Sequence, residues 1–243
     1  MLGDPVAHSL SPVLHRAGYA ALGLDDWTYD AVRVASGSLG AHLRGLGDDW
    51  RGLSLTMPLK REAMMLADRL SGRAKLAGAA NTLVLVDGQV HADNTDLPGA
   101  EAALRERWDG SLTAATILGA GATAASTGLA LCEAGATEVA LLVRSPERAA
   151  ETVAAIERHP AGPVVRVGSL EEGVPTGEVL VSTIPAEAQT PELVARCDQV
   201  PVVFEVLYDP WPTPLAAAAG GRVLVSGLDL LVHQAAYQFE IYT

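Results

Sequence analysis

Thr116-Ile117-Leu118-Gly119-Ala120-Gly121-Ala122-Thr123-Ala124 is the stretch on which the reading of the fold turns. A short apolar run stops at small residues, and an Ala-rich helical segment follows over about 124–134. After Gly135 comes a second apolar run, Val139-Ala140-Leu141-Leu142-Val143. Strand, glycine turn, helix, strand is the order of a βαβ unit. Gly119 permits the tight bend. Gly121 lets the backbone approach a pyrophosphate, which would sit on the helix N-terminus, where free N–H groups and the dipole favour negative charge. Ala124 takes the third small position. An ordinary α/β turn can use the same residues, but the placement between strand and helix predicts a dinucleotide site around Gly119, Ala120, Gly121, Ala122 and Thr123.

The end of the second strand separates NAD from NADP. An NAD site usually carries Asp or Glu there for the ribose 2′-hydroxyl. Here the chain reads Val143-Arg144-Ser145-Pro146-Glu147-Arg148, with Glu138 at the wrong end of the strand and Glu147 beyond the turn. Arg144 and Arg148 suit a 2′-phosphate and Ser145 can add a hydroxyl. Two solvated arginines at a helix start are the plainer alternative; the balance leans to NADP.

The 243 residues suffice for one large or two modest domains, and 49% hydrophobic against 19% charged residues supports a packed core. The net charge of −12 argues against nucleic acid or an anionic membrane as partner. Any anionic ligand must therefore be held by local groups. Cys132 and Cys197 have no metal-ligand spacing, and no metal site is expected. With no signal peptide and no apolar run long enough to span a bilayer, the expectation is a cytoplasmic protein, monomer or homodimer.

Taken in order, Ser11-Pro12 reads as N-cap and first position of a helix that stops near Gly23. Residues 27–34 read as a strand, 38–46 as a helix and 52–56 as a strand. A helix is expected from Thr56-Met57-Pro58 to about Leu70. Asp87-Gly88 marks a hairpin. Asp96 or a neighbour caps a helix over 99–108. Beyond Arg148 come a helix to about 158, strands at 164–167, 179–182, 201–207 and 223–225, and a charge-poor C-terminal helix over 228–242. The fold class is α/β. An N-terminal α/β substrate domain, 1–98, is followed by a Rossmann-type doubly wound parallel-sheet NADP domain, 99–226. The segment 227–243 is expected to return to the first domain at an interdomain cleft.

Three expected helix starts in the first hundred residues carry cap-type side chains: Ser9 and Ser11, Thr56, and Asp96. Good capping is the bland account. If Ser11 caps, however, the Ser9 hydroxyl is spare. Lys60 falls in the first turn of its expected helix, where the dipole disfavours a cation; a lysine meant for proton transfer gains from that.

These residues resemble a known family. Ser9-Leu10-Ser11-Pro12 after Gly3-x-Pro5-x-x-His8, Leu55-Thr56-Met57-Pro58-Leu59-Lys60, Ala79-Ala80-Asn81-Thr82 and Asn94-Thr95-Asp96 are similar to signatures of shikimate dehydrogenase. So are the glycine turn, Tyr208-Asp209-Pro210-x-Pro212-Thr213-Pro214-Leu215 and Gly227-Leu228-Asp229-Leu230-Leu231-Val232-His233-Gln234-Ala235. The matches keep the family's order across almost the whole chain.

The resemblance implies NADPH-dependent reduction of 3-dehydroshikimate to shikimate, a step toward aromatic amino acids. It implies that Ser9 and Ser11 bind the substrate carboxylate, with Tyr208 near it. Thr56, Asn81, Asp96 and Gln234 would bond the ring hydroxyls, and Lys60 with Asp96 would form the catalytic pair. Ser182, Ile184, Gly227 and Leu230 would lie on the cofactor side. Ser54, Ala122, Ser182, Glu205 and Leu230 depart from the family's usual residues and bear on fine preference. Rival readings are quinate or an amino analogue of shikimate as substrate, and a non-catalytic NADP-binding sensor. A sensor has no need of both Lys60 and Asp96.

Overall fold

A computed structural model describes residues 1–243 and divides them into two units, Met1–Thr95 with Gln234–Thr243, and Asp96–His233. The first unit runs β1 (Leu2–Gly3), α1 (Ser11–Leu22), β2 (Val32–Arg33), α2 (Leu39–Arg44), β3 (Gly52–Ser54), α3 (Glu62–Leu66), β4 (Arg69–Leu70), α4 (Gly72–Ala77), β5 (Thr82–Val86) and β6 (Gln89–Asp93). The β5–β6 hairpin turns at Asp87-Gly88, both with positive φ, as a tight two-residue turn requires. The sheet order is β3-β5-β6-β4, and β1 pairs in parallel with β2. Leu39, Leu53, Leu55, Leu59, Ala63 and Leu83 form the apolar core under this sheet.

The second unit starts with α5 (Asp96–Arg107), β7 (Ala114–Leu118), α6 (Ala122–Glu133), β8 (Glu138–Val143), α7 (Ala150–Glu157), β9 (Val164–Ser169) and β10 (Val179–Ser182). It continues through α8 (Pro191–Arg196), β11 (Val202–Glu205), α9 (Pro214–Ala217), β12 (Val223–Val225) and α10 (Gly227–Tyr242). Six parallel strands stand in the order β12-β11-β10-β7-β8-β9. Central strands buried on both faces need continuous apolar runs, which Val179-Leu180-Val181 and Val202-Val203-Phe204 supply. The order reverses between β7 and β10, the switch point beyond whose carboxyl ends open α/β sheets generally take ligands. Helix α10 is shared: residues to His233 belong to the second unit and those from Gln234 onward to the first. No helix is long and apolar enough to cross a membrane.

Several local expectations need correcting. Residues 27–34 do not form a strand as a whole; only Val32–Arg33 does. The expected helix over 56–70 is a turn through Lys60, then the short α3, then β4, whose Arg69 pairs with His91 of β6. Tertiary pairing overrides the helical pattern there. Lys60 is therefore outside a helix, and the dipole argument for it fails. Leu10, not Ser11, is the residue before α1, and Ser11 makes no cap bond through its side chain. The Ser9 hydroxyl instead accepts from the Ser11 N–H at 3.3 Å, so it is not spare.

Candidate functional site

In the second unit, the turn after β7 is shaped by its two glycines in different ways. Gly119 has φ 103°, which side-chain-bearing residues avoid, and a Cβ there would lie 2.5 Å from the Thr183 hydroxyl beyond β10. Gly121 directly precedes α6, and a Cβ on it would meet nothing within 4 Å. The first demand is internal; the second leaves open space before the free N–H groups of Ala122 and Thr123. Open space before a helix N-terminus is where a phosphate is favoured, by free N–H groups and the dipole. Thr152 pins the turn by donating to the Ala120 carbonyl at 2.8 Å.

At the end of β8, Arg144 and Arg148 are exposed and their guanidinium groups have no partner within the chain. Ser145 donates to the Glu147 carboxylate at 2.8 Å, and this bond is the main reason that Glu147 titrates below the usual carboxylate range. An acid thus stands closer to Ser145 than the sequence reading expects. Two cations and one anion still leave net positive charge where a 2′-phosphate would lie.

At the end of β10, Ser182 is fully buried and stands in register with Glu205 of β11. Glu205 is the hub: Gln189 donates to it at 2.7 Å, Thr213 at 2.9 Å and the Leu207 N–H at 3.1 Å. Burial nonetheless pushes its carboxyl above the usual range. The Gln189 amide reaches Ser182 at 3.2 Å as well. Ser182 and Glu205 therefore tie the segment carrying Ile184 to the segment carrying Tyr208, which is half-buried. A Cβ on Gly227 would come within 2.4 Å of the Val206 carbonyl, so close backbone packing alone demands glycine there. Leu230 lies in the core with Phe204 and Val225. Asp229 accepts from the Ser226 N–H and hydroxyl, both at 2.8 Å, and fixes the start of α10.

The first unit holds a continuous buried polar chain. Asn81 donates to the Thr95 hydroxyl at 2.9 Å and accepts from the Thr95 N–H at 2.8 Å. It also donates to Gln234 at 3.3 Å and accepts from Thr82 at 2.8 Å. Gln238 donates to the Asn81 carbonyl and to Thr82, both at 3.0 Å, and accepts from Ser54 at 2.8 Å. Ser54 in turn accepts from Tyr29 at 2.5 Å and stands 3.1 Å from the Tyr242 hydroxyl. Buried polar atoms so connected hold one arrangement, because any broken link leaves an unsatisfied group.

The Lys60 carbonyl accepts from the N–H of Ala80, the neighbour of Asn81, at 2.8 Å. Thr56 accepts at its carbonyl from Leu59, and its methyl group fills the space that a side chain on Gly3 would need. Ser9 and Ser11 lie together at the start of α1, Ser11 buried and Ser9 half-buried. Asp96 opens α5 in the second unit, directly after Thr95, and is buried. On the scaffold behind, Asp93 feels burial first, but Arg73 and Ser71 outweigh it and hold its carboxyl below the usual range. Sequence reasoning missed Gln238, Tyr29, Thr82 and Thr95. Gln238 left a signal: it sits one helical turn from Gln234 in a helix short of charge.

Comparison with known proteins identifies the family and the fold. Residues 1–83 match the family model described as shikimate dehydrogenase substrate binding domain. The shikimate dehydrogenase (NADP(+)) of Dinoroseobacter shibae is 37% identical, over 99% of this chain and 89% of that protein. The crystal structure of Mycobacterium tuberculosis shikimate dehydrogenase is 43% identical with a TM-score of 0.88, over 100% of this chain and 91% of the other. The Thermus thermophilus shikimate 5-dehydrogenase, solved in complex with NADP(H) and shikimate, is 31% identical with a TM-score of 0.82, again over 100% and 91%.

Proposed function

This chain belongs to the shikimate dehydrogenase family, and we propose from that premise how its residues carry out the reversible, NADP-dependent reduction of 3-dehydroshikimate to shikimate. It is an oxidoreductase acting on an alcohol, and its substrate is a small molecule. The second unit takes the cofactor: the amides of Ala122 and Thr123 face the pyrophosphate, and Arg144 and Arg148 take the 2′-phosphate. When bound, NADPH supplies a hydride to the ketone carbon.

The first unit takes the substrate. Ser9 and Ser11 receive the carboxylate, while Thr56, Asn81 and Gln234 receive ring hydroxyls. Tyr208 stands near the carboxylate. Lys60 gives the ketone oxygen its proton, or removes it in the oxidative direction, and Asp96 bonds the neighbouring hydroxyl and shares the proton's path. The observation that carries this reading is the knot at Asn81. The Lys60 carbonyl is bonded to residue 80, Asn81 is bonded to Thr95, and Asp96 is the next residue. One buried amide thereby links the backbone segment that carries Lys60 to Thr95, which supports this reading. The enzyme is proposed to work in the cytoplasm as a monomer or homodimer.

Steady-state kinetics on Lys60→Ala, Asp96→Ala and the double variant test the pair, with thermal melts as the folding control. Each single change is expected to lower kcat by about 10²–10⁴-fold, the range for general acid–base assistance. The substrate KM should change much less. The double variant should lose far less than the product of the two. A near-wild-type kcat in folded Lys60→Ala removes the lysine from the chemistry, and strictly multiplicative losses remove the claim that the two act together.

A further inference from the structure

The strand order gives a bound dinucleotide a direction over the second unit. With its pyrophosphate at the turn after β7 and its 2′-phosphate at Arg144 beyond β8, the nicotinamide half extends the other way, over the ends of β10 and β11. Glu205 is the last residue of β11 and is wholly buried. It stands beneath both segments that follow these strands. Ser182, its partner in register, lies two residues before Ile184, and the Leu207 N–H that donates to it lies one residue before Tyr208.

Every bond at Glu205 runs toward it. The amides of Gln189 and Leu207 can only donate, and the Thr213 hydroxyl turns its hydrogen to the same carboxyl. The other sides of these partners are already engaged. The Gln189 carbonyl accepts from the Leu215 N–H at 2.9 Å, and the Thr213 oxygen accepts from the Ala216 N–H at 3.2 Å. A protonated carboxyl needs an acceptor, and none is turned to it. Burial raises its pKa, but the donors hold the group as a carboxylate. None of its partners is a cation.

Tying two segments together requires hydrogen bonds, not a net charge, and a buried ion without a counter-ion is costlier than a neutral group of the same shape. Its field also persists, since no counter-ion cancels it and little water screens it. A nicotinamide ring carries a positive charge when oxidised and none when reduced. We propose that Glu205 is an electrostatic positioning residue of the reaction: its buried carboxylate, set behind the segments carrying Ile184 and Tyr208, favours the oxidised ring over the reduced one and so helps hydride to leave the cofactor. The inference rests on the cofactor placement proposed above.

The test measures dissociation constants for NADP⁺ by calorimetry and for NADPH by nicotinamide fluorescence, without substrate, on the wild type and three variants. Glu205→Gln keeps the shape and removes the charge. Gln189→Lys keeps Glu205 and cancels its charge with an ammonium, so the test stands if either protein folds. Thr213→Val breaks one bond to Glu205 and leaves the charge. The first two variants are expected to weaken NADP⁺ by about fivefold or more relative to NADPH, the scale of a unit charge felt through protein. Thr213→Val should keep the wild-type ratio of the two constants. Adenosine 2′,5′-bisphosphate, which has no nicotinamide, should bind all four proteins alike. An unchanged ratio in folded Glu205→Gln or Gln189→Lys, or the same shift in Thr213→Val, overturns the proposal. Binding of neither NADP⁺ nor NADPH to the wild type overturns the cofactor placement, and the proposal with it.

Discussion

The turn after β7 and the polar chain around Asn81 are built in opposite ways. The turn takes its shape from Gly119 to Thr123, helped by Thr183 and Thr152. The polar chain draws on Tyr29, Ser54, Asn81, Thr95, Gln234 and Gln238, members separated by up to 184 positions along the bonded pairs. A local device is defined by neighbours in sequence; an assembled one exists only when distant segments have docked. The turn should therefore tolerate changes elsewhere, and the polar chain should fail as a unit.

Gln238→Leu is the strongest way to break that contrast. It removes the partner of Ser54, Thr82 and the Asn81 carbonyl together, at a cost of about 4 kcal/mol from several buried groups left unpaired. Urea unfolding should show this loss, and calorimetric titration should show weakened shikimate binding with NADP affinity unchanged. Equal damage to both ligands would erase the distinction between local and assembled sites.

Acid exposes the same unit from another side. His15, buried and stacked on Tyr29 at 4.1 Å, is driven from 6.5 down to about 4 by burial and by the nearby Met1 amino group. The unfolded chain takes up that proton first. The stability tied to neutral His15 is thus full above pH 6.5 and is lost as pH falls toward 4, by roughly 3 kcal/mol at about 1.4 kcal/mol per unit. Phenylalanine can keep the stack but cannot titrate. The urea midpoint of His15→Phe should fall less between pH 7 and 4.5 than that of the wild type; parallel falls would assign the acid loss to other groups.

Arg144→Ala sharpens the local side of the comparison. A charge-assisted contact to the 2′-phosphate is worth about 2 kcal/mol. The KM for NADP should rise by more than tenfold, with the KM for NAD and the melting temperature unchanged. Equal increases for both cofactors would deny this arginine its role in discrimination.

What the sequence made legible follows the same division. The strands at 179–182 and 223–225, the glycine turn and the hairpin at Asp87-Gly88 carry their reasons in adjacent residues, and they stand where expected. Lys60 was misplaced in a helix because residues 60–70 have helical periodicity, while the pairing of β4 with β6 is a long-range fact. Leu10 rather than Ser11 stands at the cap, and the Ser9 hydroxyl is engaged by the Ser11 N–H, because both depend on how the chain enters α1. In the sequence Ser54 is only a departure from a family pattern. Its meaning, a junction of Tyr29, Tyr242 and Gln238, appears only once residues from both ends of the chain meet.

Initial-rate measurement of cofactor reduction decides which reaction this chain carries out. Purified protein is given shikimate or quinate, each with NADP or NAD, and reduced nicotinamide is followed by absorbance. The kcat/KM for shikimate with NADP is expected to exceed every other combination by at least about tenfold, the effect of one charged contact of roughly 1.4 kcal/mol or more. Turnover that favours quinate or NAD, or no turnover of shikimate with NADP by folded protein, would contradict it.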